Sequence, residues 1–147
     1  MNSFTFSESR VLEYNSFTFN LVLQNALSAG CSVQIQFPSE FLIPDVATGS
    51  CRLIGVFGIS SSATCQFTSN KMVISDPFGS TDSKGNDNIR FTIGNNYVRN
   101  PTSTRPTTTG IVIKSVSASG NQIDDWSGSK FTATENTLTS VTVTPSS

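Results

Sequence analysis

The amino-acid sequence predicts an all-β fold built from two packed sheets. Three observations lead there. Strong helix formers are scarce: of 147 residues seven are Leu and six are Ala, whereas Ser and Thr together supply 42. Thr favours strands, and Ser favours turns over helix interiors. Apolar residues recur at every second position in several runs, which is the period of a strand with one buried face. Clusters of Gly, Pro, Asn and Ser break these runs about every ten residues, as in sandwiches of short strands.

The elements follow in order. Phe4-Thr5-Phe6 begins an edge strand. Residues 15–23 carry the longest alternation, with Phe17, Phe19, Leu21 and Leu23 on one face, and belong at the centre of a sheet. The echo of Ser-Phe-Thr-Phe at 3–6 and 16–19 is too short to define a structural repeat. A turn over 25–30 leads to a strand over 31–37, so residues 15–37 read as a β-hairpin with a long loop. Pro38 ends it, and 38–49 reads as irregular, with room for a helical turn and with Phe41, Leu42 and Ile43 tucked under a sheet. Short strands are expected at 51–57, 65–68 and 71–75, the last with Met72 and Ile74 on one face. Residues 76–88 form a polar loop.

Residues 88–113 hold two strands, one over Ile89, Phe91 and Ile93 and one from Ile111 to Val116. The connection from Gly94 to Gly110 contains Asn100-Pro101 and Arg105-Pro106, which cannot continue a ladder. It is too long for a hairpin turn of about two to five residues. It either crosses between sheets or extends a hairpin through Tyr97-Val98. Gly120 makes a turn, residues 123–128 form a loop carrying the only Trp, and strands at 131–133 and 138–144 complete the set. About seven to nine strands at this spacing suit a two-sheet sandwich of the immunoglobulin type, with a jelly roll or small barrel as the competitor.

Length places all of residues 1–147 in one domain, with 136–147 a candidate linking or exchanged strand. A net charge of −1 gives no basic face for nucleic acid or anionic lipid. The longest apolar run is far too short to span a bilayer. Met1 is followed by polar residues, so no signal peptide is visible.

Chemistry is thinly signalled. Histidine is absent and there is no Gly-x-Ser-x-Gly elbow, which removes the usual nucleophile–base arrangements. No Gly-rich loop opens a helix, so no phosphate cradle is expected. The chain does not read as an enzyme. Cys51 and Cys65 bracket a Gly- and Ser-rich loop and read as a disulfide worth about 3 kcal/mol by loop entropy; the alternative is two buried reduced thiols in a cytosolic domain. Cys31 is then either buried, as its place before Val33, Ile35 and Phe37 favours, or bonded to another chain. Asp76, Asp82 and Asp87 are candidate calcium ligands in a loop whose spacing matches no EF-hand; no other cofactor is expected. Asp124 and Asp125 beside Trp126 are candidate glycan contacts, against the plainer reading of a Trp capping the core. No Asn-x-Ser/Thr sequon is present apart from one blocked by Pro101. Thr102, Ser103, Thr104, Thr107, Thr108 and Thr109 around Pro106 form a candidate O-glycosylation cluster.

The order of motifs adds a resemblance. A Phe-rich strand, Val33 to Pro38 as Val-x-Ile-x-Phe-Pro and the two cysteines are followed by Ile89 to Ile93, the segment Asn100 to Thr107, Ile111-x-Ile113 and Ile123-Asp124. Over about residues 15–125 this resembles the Ig-like tandem repeats of very long surface proteins of ciliated protists. The resemblance implies an extracellular β-sandwich that builds coats, fibres or surface appendages, with no catalytic residues. The functional expectation is a structural module at the cell surface, self-associating through strand edges or termini; the alternative is a carbohydrate- or calcium-binding adhesion domain.

Overall fold

A computed structural model describes residues 2–47, 51–61, 63–79, 85, 87–136 and 143–146. Nine strands are present: β1 (Ser3–Phe6), β2 (Tyr14–Val22), β3 (Ser32–Gln36), β4 (Leu53–Phe57), β5 (Thr64–Thr68), β6 (Lys71–Ser75), β7 (Asn88–Arg99), β8 (Gly110–Val116) and β9 (Gln122–Lys130). They form a four-stranded sheet, β1-β2-β7-β4, and a five-stranded sheet, β5-β6-β3-β8-β9. Every strand pairing is antiparallel. The orders β1-β2-β7-β4 and β9-β8-β3 match the ABED and GFC sheets of the immunoglobulin sandwich; β6 and β5 extend the second sheet beyond β3. Among the described residues there is no helix, including over 38–47, where the chain instead makes bridges from Leu42 to Arg99 and from Val46 to Phe67.

Alternation explains the core. Phe17, Phe19 and Leu21 of β2 and Ile89, Phe91 and Ile93 of β7 face Val33 and Ile35 of β3, Met72 and Ile74 of β6, and Ile111 and Ile113 of β8, all in one buried cluster. Phe37, Phe41 and Phe131 close one end of it: Phe41 lies 5.7 Å from Phe37 and 5.0 Å from Phe131, ring centre to ring centre.

Four expectations are corrected. Residues 15–37 are not a hairpin, because β2 and β3 lie in opposite sheets; both show an apolar face to the same core, and alternation alone does not say from which side. The strand over Ile89–Ile93 does not stop at Gly94. The register runs from Phe17↔Ile93 to Asn15↔Val98, so a bulge takes up the extra β7 residues and the ladder resumes. Residues 100–109 then cross between the sheets. Residues 123–128 are not a loop but most of β9, which the open edge of β8 recruits through main-chain bonds despite its Asp, Ser and Gly content. Phe131 and Ala133 are buried, yet the segment 131–133 is not a strand, since the ladder to β8 ends at Gly110↔Lys130. The expected strand at 138–144 falls mostly outside the described residues; Val143 to Ser146 are described and are not in a strand.

The tetrapeptide echo has a structural counterpart. The two Ser-Phe-Thr-Phe segments lie side by side, with Phe4 opposite Phe19, Thr5 opposite Thr18 and Phe6 opposite Phe17.

Candidate functional site

The sandwich has two lateral sides, and they are closed differently. On one side run the edge strands β4 and β5, joined by the disulfide between Cys51 and Cys65, whose Cα atoms are 5.6 Å apart. The expected pairing is therefore present. On this side β4 is unusual in composition: Leu53-Ile54-Gly55-Val56-Phe57 contains no polar side chain. Leu53 opposes the inward Ile93, whereas Ile54 and Phe57 oppose the outward Thr92 and Arg90. Gly55 breaks the register with a φ of 59°. Ile54, Val56 and Phe57 are consequently 44%, 46% and 66% exposed. Phe57 borders a shallow cleft of about 400 Å³ lined by Asn20, Val22, Gly55 and Arg90. No strand among the described residues pairs with the outer edge of β4. An apolar strand with an open edge is a template for another strand. Sequence reasoning placed this strand but not its exposed apolar side chains. The unbroken apolar run was the available signal, because a half-buried edge strand ordinarily alternates with polar residues.

On the other side run the edge strands β1 and β9, held by aromatic contacts. Phe4 meets Trp126 edge to face at 6.2 Å, and Phe6 meets Phe131 at 5.1 Å. Gly128 makes the contact room: a Cβ there would lie 2.8 Å from Phe4 and 2.9 Å from Trp126. Two clefts flank the Phe4–Trp126 contact. One, of about 240 Å³, is lined by Asn2, Gln24, Asn25, Ser115, Asp124 and Trp126 among others. The second, of about 360 Å³, is lined by Ser3, Phe4, Phe6, Trp126 and Phe131 among others.

The three candidate glycan contacts lie together on β9. Asp124, Asp125 and Trp126 all line the first cleft, Asp125 as an exposed residue opposite Lys114. The Asp124 carboxylate accepts from Asn25 Nδ2 at 2.5 Å and from Ser115 Oγ at 3.0 Å. Trp126 serves the core side of the sheet as well as the cleft.

The other candidates scatter. In the Thr-rich crossing, Thr102, Ser103, Thr104, Thr108 and Thr109 are exposed. Thr107 is buried, and its hydroxyl donates to Thr109 O at 2.7 Å and accepts from the Phe131 N–H at 3.0 Å. It fixes the crossing to the core and is closed to a modifying enzyme. The neighbouring Thr108 N–H donates to Glu40 Oε1 at 2.7 Å, and this bond, ahead of the charge of Lys130, holds the Glu40 carboxyl below its ordinary pKa. Cys31 is buried beside Leu23 and Leu27, away from the surface an interchain bond would need. Of the calcium candidates, Asp82 lies outside the described residues; Asp76 sits exposed at a turn with φ 50°, and the Asp87 carbonyl accepts from the Leu23 N–H at 3.0 Å. Among the described residues no group of three or more His, Cys, Asp or Glu is placed to hold a metal ion. No helix among them is long and apolar enough to cross a membrane. A scan against protein-family models gives no match, and a search of curated proteins returns none.

Proposed function

We infer that this chain is a structural module of an extracellular coat, fibre or appendage, whose copies join edge to edge through β4. The observation that carries the reading is the exposure of Ile54, Val56 and Phe57 on a strand whose outer edge pairs with no other strand among the described residues. Apolar area on a surface that is otherwise rich in Ser and Thr favours burial against a partner. The occupant is the C-terminal segment of a neighbouring copy. Residues 138–144, Leu-Thr-Ser-Val-Thr-Val-Thr, carry the β-branched pattern of a strand, and Val143 is 82% exposed. A strand donated from one copy to the next makes a head-to-tail contact that does not close, and so a fibre. The Cys51–Cys65 disulfide supports an oxidising compartment.

Electron microscopy of the purified chain tests this. Filaments are expected from the wild type, and monomers from Val56→Lys/Phe57→Lys and from a deletion of residues 136–147. Filaments of unchanged length from both variants would sink the reading.

A second reading rests on the cleft of about 240 Å³ between β2 and β9, where amide, hydroxyl and carboxylate groups of Asn25, Ser115 and Asp124 converge beside Trp126. Such a lining suits the hydroxyls and ring face of a sugar. A glycan array comparing wild type with Asn25→Ala, a change at an exposed residue, separates the two functions: sugar binding lost in the variant supports an adhesion domain, and no binding by either protein removes it.

A further inference from the structure

We propose that β1 is a built-in plug on a self-complementary strand edge, and that its release lets two copies pair β2 to β2 about a two-fold axis through Thr18. The argument begins with the identical segments. Residues 3–6 and 16–19 are both Ser-Phe-Thr-Phe, and in the folded chain the first lies antiparallel on the second. The observed register sets Phe4 against Phe19, Thr5 against Thr18 and Phe6 against Phe17. Because the plug has the sequence of the strand it covers, β2 of a second copy satisfies the same register. Phe17 of the second copy takes the place of Phe4, Thr18 that of Thr5, and Phe19 that of Phe6. Thr18 then faces Thr18, and the arrangement maps onto itself under a half-turn. An isologous contact of this kind needs one patch that is complementary to itself. The Phe residues stay on the core face and the Thr residues on the outer face, so alternation is kept.

The seating of β1 fits a part that can leave. It is four residues long, and Phe6 is among the exposed large apolar side chains. Its side of the sandwich has no covalent tie, in contrast to the disulfide on the β4–β5 side. The cleft of about 360 Å³ lined by Ser3, Phe4 and Phe6 leaves it incompletely packed. The chain after it is anchored independently. The Asn15 Oδ1 accepts from the N–H groups of Ser7 and Glu8 at 3.0 Å each, and Asn100 Nδ2 donates to the Arg10 carbonyl at 2.7 Å. Residues 2–6 can therefore lift away while 8–13 stay in place. In the dimer the Ser16 carbonyl, which now accepts from the Ser7 N–H at 3.1 Å, turns to the second copy. The product is one continuous sheet running through both sandwiches, formed at the side opposite the β4 edge.

The test uses the full chain with Thr18→Cys as a reporter, since residues directly opposed in an antiparallel pair lie within disulfide reach. In the Val56→Lys/Phe57→Lys background, which removes assembly through β4, mild oxidation of this variant with β1 intact should leave it monomeric. Adding Phe4→Ala and Phe6→Ala, or instead Thr5→Pro, which removes a ladder donor at an exposed position, should double the mass in sedimentation. A peptide map should then show a disulfide joining the introduced thiols at position 18 of the two copies. A synthetic peptide of residues 2–7 in excess should return the uncrosslinked protein to half that mass. Folded chains that stay monomeric, or that dimerise without a bond between the two introduced thiols, overturn the proposal. So does loss of the fold in both β1 variants, because β1 would then be part of the fold and not a plug. The link at position 18 reports β2 pairing alone, so its result is independent of any filament formed through β4.

Discussion

Asn15 Nδ2 donates to Asn100 Oδ1 at 2.9 Å, and both side chains are fully buried. The pair joins the start of β2 to the exit from β7, and each amide also holds the 7–13 loop: Asn15 accepts from Ser7 and Glu8, while Asn100 donates to the Glu8 and Arg10 carbonyls at 3.1 and 2.7 Å. A buried polar group left unpaired costs about 1–3 kcal/mol. Asn100→Ala strands the Arg10 carbonyl and one Asn15 donor, so it should lower stability by about 3 kcal/mol. Urea unfolding measures this; a loss below about 1 kcal/mol would mean water replaces the network.

The disulfide closes a loop with a sequence separation of 14 and fastens one lateral side of the sandwich. Reduction, or the Cys51→Ser/Cys65→Ser pair, should lower unfolding free energy by about 3 kcal/mol on the chain-entropy account. The check is urea unfolding with and without reductant. Coincident midpoints would show that the core alone holds β4 and β5 together.

Acid should loosen the 7–13 loop through Glu8. Its carboxylate accepts from Arg10 Nε at 3.0 Å, Arg10 Nη2 at 2.8 Å and the Arg10 N–H at 2.9 Å. The Arg10 side chain first, and then its backbone N–H, lower the Glu8 pKa from the ordinary 4.5 to about 2. A folded-state pKa below the unfolded one adds stability above the unfolded value, and that increment disappears as pH falls through the folded value. The increment is thus complete above pH 4.5 and is lost on the way down to about pH 2. Thermal unfolding followed over this window should fall more steeply for the wild type than for Glu8→Gln; parallel curves would remove Glu8 from the account.

Two glycines of similar appearance in sequence should behave oppositely. A Cβ at Gly110 would lie 2.0 Å from the Gly128 carbonyl oxygen, where β8 meets β9, whereas at Gly94 it would meet nothing within 4 Å. Gly110→Ala forces the strands apart and should cost about 1–3 kcal/mol, as overpacking does. Gly94→Ala should change stability by about 0.5 kcal/mol or less. Melting temperatures of the two variants decide it, and equal values would contradict the close approach of β8 and β9.

What the sequence determined by itself is which residues face inward. Phe17, Phe19 and Leu21, Ile89, Phe91 and Ile93, and Met72 and Ile74 are legible because a strand's side chains alternate with a fixed period whatever its neighbours are. The Cys51–Cys65 staple was legible for a related reason, since a short loop keeps its ends close. The tertiary structure decided everything that depends on which strand lies beside which. The same alternation in β2 and β3 is compatible with a hairpin or with opposite sheets, and the fold puts them in opposite sheets. β9, poor in strand-forming residues, is a strand because β8 offers it an unpaired row of main-chain groups. The exposure of Ile54, Val56 and Phe57 follows from β4 lying at the end of its sheet. Hydrophobic period is a property of one segment, whereas pairing and exposure belong to two segments at once, and only the closed sandwich brings those segments together.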